Sequence, residues 1–166
     1  MTTESFKDIF DAAQHGSVED VKYFVEEQGA DVHAKDEHSI TPLHYAAWKN
    51  TVDVVQYLVS QGADVKVKDD DATQHWYMTP LHFAAWKNTV DVVQYLVSRG
   101  AEVNLKCNSG ETPLYYAAKN NTVEVLQYLV SQPDTDATIS NASALLMSLT
   151  SATKSMRSPL NSHRRQ

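Results

Sequence analysis

Residues 41–65 read TPLHYAAWKNTVDVVQYLVSQGADV, and residues 79–103 read TPLHFAAWKNTVDVVQYLVSRGAEV. Of these 25 aligned positions, 22 are identical. A third copy opens at Thr112 as TPLYYAA, so the spacings between copies are 38 and 33 residues. A weaker copy, IFDAAQHGSVEDVKYFVEEQGADV, fills residues 9–32. Self-similarity at this period is the mark of a repeat architecture.

Each copy reads as two short helices. Thr41, Thr79 and Thr112 stand where an N-cap belongs, with Pro42, Pro80 and Pro113 at the first helical position, where no N–H is needed. The pairs Ala12-Ala13, Ala46-Ala47, Ala84-Ala85 and Ala117-Ala118 leave room for a neighbouring helix. Ser17, Thr51, Thr89 and Thr122 are the expected N-caps of the second helices. Glu19, Asp53, Asp91 and Glu124 follow two residues later, at the positive end of the helix dipole. Val52, Val55, Leu58 and Val59 form one apolar stripe, and Gly62 and Gly100 end their helices in a left-handed conformation. A pair of helices this short cannot bury its apolar side alone, so the units must stack into an all-α solenoid.

These residues resemble the ankyrin-repeat family. The carriers are T-P-L-H-x-A-A, the V-V-x-Y-L-V run, and G-A-D-V leading into the next unit. The resemblance covers residues 5–132 and implies helix–turn–helix units joined by β-turn fingers along one edge. On this reading residues 1–133 form the repeat domain, divided as 5–35, 36–68, 69–106 and 107–133. Unit one has Lys7-Asp8-Ile9-Phe10 in place of TPLH, as a capping repeat would, and Pro133 replaces the helix-ending glycine of unit four. Cys107 replaces the finger aspartate seen at Asp36 and Asp69, which predicts a looser third finger.

The remaining segment, 134–166, is rich in Ser, Thr, Asn and Ala. Within it SALLMSLTSATKSM places Leu145, Leu149, Ala152 and Met156 on one helical face. That pattern leaves two readings open: a capping helix over 141–157, or disorder.

Composition bounds the function. Charged residues make up 21% of the chain, as in ordinary soluble proteins, and no apolar run approaches the ~18 residues needed to cross a membrane. The opening MTTESFKDIF is too acidic and polar for a secretory signal peptide. A single cysteine, Cys107, allows no internal disulfide and suits a reducing cytosolic or nuclear compartment. Residues 1–133 carry 10 Lys and Arg against 19 Asp and Glu, whereas 134–166 carry four bases and two acids. An acidic body repels phosphate backbones, so neither nucleic acid nor a membrane is expected as partner.

No nucleophile elbow, zinc motif, P-loop or dinucleotide fingerprint is present. All five glycines fall at repeat turns, leaving none to cradle a phosphate. The expectation is a non-enzyme without metal, cofactor or small-molecule substrate. Asp69-Asp70-Asp71 with His75 fits no calcium loop and reads as solvated loop acids. His44 and His82 are given a structural task by the resemblance: hydrogen bonds across the turn and to the next unit.

The aromatics carry more. Trp48 and Trp86 occupy equivalent places at the ends of two successive first helices, the edge that lines the concave binding face in ankyrin repeats. Two readings stay open: partner anchors, since Trp is enriched at hot spots, or packing that stabilises the stack. Asp36 to Thr41 is five steps and Cys107 to Thr112 is five, but Asp69 to Thr79 is ten. Five extra residues therefore lie in the second finger, bringing Trp76, Tyr77 and Met78 to the rim as an extended binding finger.

The expected partner-binding set is Lys35, Glu37, His38, Ile40, Trp76, Tyr77, Met78, Lys106, Asn108 and Glu111 from the fingers. Trp48, Lys49, Trp86, Lys87, Lys119 and Asn120 join them from the helix ends. The expected partner of this monomer is a protein with apolar and basic groups, the latter meeting Asp69–Asp71 and Glu37. A structural spacer is the rival. The near-perfect duplication also suits a host-directed effector of an intracellular bacterium, with SHRRQ as an export signal. Finally, the family's finger asparagine is a substrate of an Fe(II)/2-oxoglutarate hydroxylase that favours L-x5-[DE]-V-N. Leu96 with Glu102-Val103-Asn104 fits that pattern.

Overall fold

The structure is a computed structural model and describes residues 6–49, 51–69, 77–87, 89–120 and 122–135. Trp76, the loop residues 70–75 and the segment 141–157 lie outside the described residues.

Eight α-helices occur among the described residues, and no strand. They are α1 (Ile9–His15), α2 (Val18–Lys22), α3 (Pro42–Lys49), α4 (Val52–Ser60), α5 (Pro80–Lys87), α6 (Val90–Ser98), α7 (Pro113–Lys119) and α8 (Val123–Ser131). In unit one the second helix continues as a wider π turn over Tyr23–Glu27. Helices α1, α3, α5 and α7 pack side by side in one row, and α2, α4, α6 and α8 pack in a second row behind it.

The alanine pairs explain how close the first row stands. Ala12, Ala13, Ala46, Ala47, Ala84, Ala85 and Ala117 are fully buried, so helix backbones meet across methyl groups. Leu43, Leu81 and Leu114 fill the space between the rows, with Val54, Val55, Leu58, Val92, Val93 and Leu96 from behind. The stripe on α4 is thus centred on Val54, Val55 and Leu58, and Val52 and Val59, expected within it, form its half-buried edges.

The helix starts differ from expectation in an instructive way. Ser17 is a full N-cap, its hydroxyl accepting from Asp20 N–H while the Asp20 carboxylate accepts from Ser17 N–H. Thr89 and Thr122 stand at the N-cap position of α6 and α8 but make no cap bond. Their buried hydroxyls donate backward instead, to the carbonyls of Ala84 and Ala117, pinning each helix to the one before it. The glycine stops hold: Gly62 and Gly100 sit at φ of +95° and +90°. Replacing Gly100 with alanine meets no steric contact, so its cost is backbone strain alone. We expect a loss of about 1 kcal/mol by denaturant titration.

Candidate functional site

The edge of interest is where the fingers and the ends of the first-row helices meet. Its framework is the shared geometry of the finger base, seen three times. Asp36 N–H donates to the Ile40 carbonyl at 3.1 Å, Asp69 N–H to the Met78 carbonyl at 2.9 Å, and Cys107 N–H to the Glu111 carbonyl at 2.9 Å. Each loop closes on the residue just before the helix-opening threonine. The extra residues of the second finger are therefore spliced inside a closed loop, and both ends of that loop keep the register of the other units.

This corrects two expectations. Met78 was expected at an exposed rim, but it is the counterpart of Ile40 and Glu111 and is fully buried, 0% exposed, against Cys107 and Tyr116. Asp69 was expected as a solvated acid, but only 3% of it is exposed. Its carboxylate accepts from Met78 N–H at 2.6 Å, so it holds the loop rather than a partner. Tyr77 is half-buried at φ +50°, at the point where the insertion rejoins the frame.

Behind the finger base lie the histidines. Nδ1 of His44 accepts from Thr41 N–H at 3.2 Å and lies 2.9 Å from the Thr41 hydroxyl. That assigns the proton to Nε2, which donates to the Met78 carbonyl of the next unit at 3.2 Å. His82 repeats the inner half of this arrangement with Thr79, at 3.1 Å and 2.8 Å. Its Nε2 faces the carbonyls of Glu111 and Leu105 outside hydrogen-bonding geometry. Burial pushes both imidazoles down to about 4. In unit four Tyr115 replaces histidine, and Thr112 reverts to an ordinary N-cap that accepts from Tyr115 N–H.

The third finger is not looser, because its acid has moved. In the first finger Asp36 accepts from His38 N–H and Ile40 N–H, and its second oxygen accepts from the Tyr45 hydroxyl at 2.8 Å. In the third, Tyr116 stands in place of Tyr45 and donates to Glu111 at 2.7 Å, joined there by Ser109 at 3.0 Å. Cys107 is buried, with Sγ 3.0 Å from the Ser109 hydroxyl. Desolvation would raise the Glu111 carboxyl, but the bonds from Tyr116, Ser109 and Tyr115 outweigh it and hold it low.

In front of this framework the aromatic side chains of three units touch. The rings of Trp48 and Trp86 meet edge to face at 5.1 Å, and Trp86 stacks on Tyr116 at 5.4 Å. Phe83 packs against Trp48 at 5.7 Å. Both tryptophans are half-buried in this ladder, so their packing on each other and their partial exposure leave both readings of them standing. Lys87 Nζ lies 3.9 Å from the centre of the Trp48 ring, a close cation–π contact. Lys119 lies 5.9 Å from the Tyr115 ring. Asn120 bridges units by donating to the carbonyls of Trp86 and Tyr116, each at 3.1 Å.

Of the other expected residues, Lys35, Glu37, Lys49, Lys106 and Asn108 are exposed, and His38 and Ile40 are half-buried. Asn104 does not stand free: its amide donates to the Asp134 carbonyl across the stack. No cluster of His, Cys, Asp and Glu able to hold a metal ion occurs among the described residues. None of the described helices is long and apolar enough to cross a membrane.

Comparison with known proteins decides the family. A family model described as ankyrin repeats in three copies matches residues 9–69 and 69–141. The chain belongs to the ankyrin-repeat family. Ankyrin repeats serve generally as non-enzymatic protein–protein interaction modules. The ankyrin chain is also similar to a 26S proteasome non-ATPase regulatory subunit 10 of Dictyostelium discoideum, 35% identical over 65 residues. The aligned stretch covers 39% of this chain and only 28% of that relative. The all-α solenoid expected from the repeats is the fold observed.

Proposed function

We propose that this ankyrin array binds a partner protein through Trp48 and Trp86, braced by the buried Tyr116, and through the charged residues that flank them. The observation that carries the reading is that the half-buried rings of Trp48 and Trp86 touch across two successive units, with Trp86 held from the next unit by its stacking on the buried Tyr116. A partner segment lying across these two units meets the exposed part of both tryptophan rings, and covering it removes apolar surface from water. Lys49, Lys87 and Lys119 border the ladder on the helix ends, and Lys35 and Lys106 on the fingers. Glu37 and Glu111 are the acids there, Asp70 and Asp71 lying outside the described residues. Glu111 is engaged by Tyr116 and Ser109. The burial of Asp69 thus changes the partner first expected. An apolar anchor flanked by carboxylates fits this edge better than one flanked by bases, with Glu37 left for a basic group at one side.

The test is a pull-down read by mass spectrometry, comparing wild type with Lys49→Glu/Lys87→Glu and with Trp48→Ala. Both lysines are exposed, and circular dichroism checks that each variant is folded, since Lys87→Glu also removes the cation–π contact to Trp48. Loss of a shared partner by about tenfold in affinity in both variants is expected, in the range of an interface hot spot. Partner lists unchanged in both would favour the rival reading, in which the ladder stabilises a structural spacer. The half-burial of both tryptophans is the observation behind that rival.

Two further proposals rest on sequence alone. Hydroxylation of Asn104 would act on an amide that the structure ties to Asp134, so it requires that contact to open. An added oxygen on the Asn104 peptide is its readout. Delivery into a host cell by way of the SHRRQ end is tested by deleting residues 150–166 and following transport.

A further inference from the structure

Burial breaks its pattern at the C-terminal end of the stack. Val52 and Val59 of α4 and Val90 and Val97 of α6 are partly buried and packed on the core. Their counterparts on α8, Val123 and Val130, are 43% and 45% exposed. The residue type and helix position are the same, so the difference lies in the neighbour. Helix α4 is covered by α6 and α6 by α8, whereas α8 has no such neighbour among the described residues. Val123 and Val130 are seven residues apart on one helix face, roughly 10 Å along the axis. Terminal repeats of a solenoid ordinarily turn a polar face outward, and α8 interrupts its exposed Glu124, Gln127 and Ser131 with these two valines.

We propose that residues 141–157 of this same chain form a helix that docks on this face of α8. Three observations favour this occupant. The first is pattern: Leu145, Leu149, Ala152 and Met156 recur at helical spacing and span roughly 16 Å, enough to cover both valines. The second is reach. The segment's origin is fixed beside α8, where the Thr135 hydroxyl donates to the Leu129 carbonyl and the Asn104 amide holds the Asp134 carbonyl. Five residues, 136–140, then separate Thr135 from the start of that segment. They extend up to roughly 20 Å, more than the length of α8, and docking is intramolecular at high effective concentration. The third is charge. Beyond Asp136 the chain carries Lys154, Arg157, Arg164 and Arg165 and no acid, against a repeat body with 19 acids and 10 bases.

The test compares the full chain with Leu145→Glu/Leu149→Glu by amide hydrogen exchange and light scattering. These substitutions lie outside the repeat core, so the stack folds in both. The expected result is a monomeric wild type in which the α8 amides exchange at least about tenfold more slowly than in the variant. Peptides from α3 to α5 should show no difference. Adding Val130→Glu to the tail variant should accelerate α8 no further, because the contact is already gone. Unchanged α8 exchange in the tail variant would overturn the proposal. So would a wild-type dimer whose dissociation alone exposes α8, since that would assign the face to a second copy.

Discussion

Acidification should weaken the stack steeply, by roughly 3 kcal/mol for each of His44 and His82 once the pH reaches about 4. The cause is burial: the two imidazoles lie inside the fold and are pushed down from 6.5 to about 4. The Met78 carbonyl and Asp36 pull His44 upward but do not outweigh its burial, and in both histidines Nδ1 accepts a backbone N–H, from Thr41 and Thr79, that protonation there would break. Above pH 6.5 the histidines are neutral in both folded and unfolded chains, and their contribution to stability is complete. Between 6.5 and 4 the unfolded chain binds protons that the folded chain refuses, so stability falls as pH falls through that window. Below the folded value both states are charged and the slope ends. Melting temperature followed from pH 7.5 to 4.5 should therefore drop more steeply in wild type than in His44→Asn/His82→Asn. That variant should be less stable at neutral pH and flatter with pH. Parallel curves would show that the histidines do not dominate the acid transition.

The sequence carried the helices and their stacking because both depend on local chemistry repeated several times. Proline at the first helical position, paired alanines and glycine at the helix end each demand one backbone state, and three copies leave little room for another reading. What it did not carry were side-chain destinations set by tertiary contacts. Thr89 and Thr122 look like N-caps from spacing alone, yet their hydroxyls reach the previous helix because it lies within bonding distance. Met78 looks like part of an exposed aromatic insertion. The signal that it belongs to the frame was available: it precedes Thr79 as Ile40 precedes Thr41. Counting back from the threonine, rather than forward from Asp69, puts it inside the closed loop. The tryptophans were found by position, but their mutual contact depends on the distance between successive helices, which the alanine pairs set without stating it. Lys87 over Trp48 is of the same kind.

The relocated acid of the third finger supports a sharper expectation. Cys107→Asp should restore the aspartate of the first finger and yet destabilise the protein, by about 2 kcal/mol or roughly 7 °C in melting temperature. A carboxylate at residue 107 would enter a buried position beside Glu111, which already takes the hydrogen bonds of Tyr116 and Ser109. Two carboxylates cannot share those donors while both are charged. Adding Glu111→Ile should recover most of the loss, because the pair then reproduces Asp36 and Ile40, with Tyr116 donating to residue 107 as Tyr45 donates to Asp36. Glu111→Ile alone should also destabilise, since it leaves the Tyr116 hydroxyl without its carboxylate acceptor. The double variant would then be more stable than either single one, a coupling of opposite sign to simple additivity. Additive losses in the double variant would mean that the fingers are not interchangeable. The carboxylate at residue 111 would then be held by something other than its exchange with position 107.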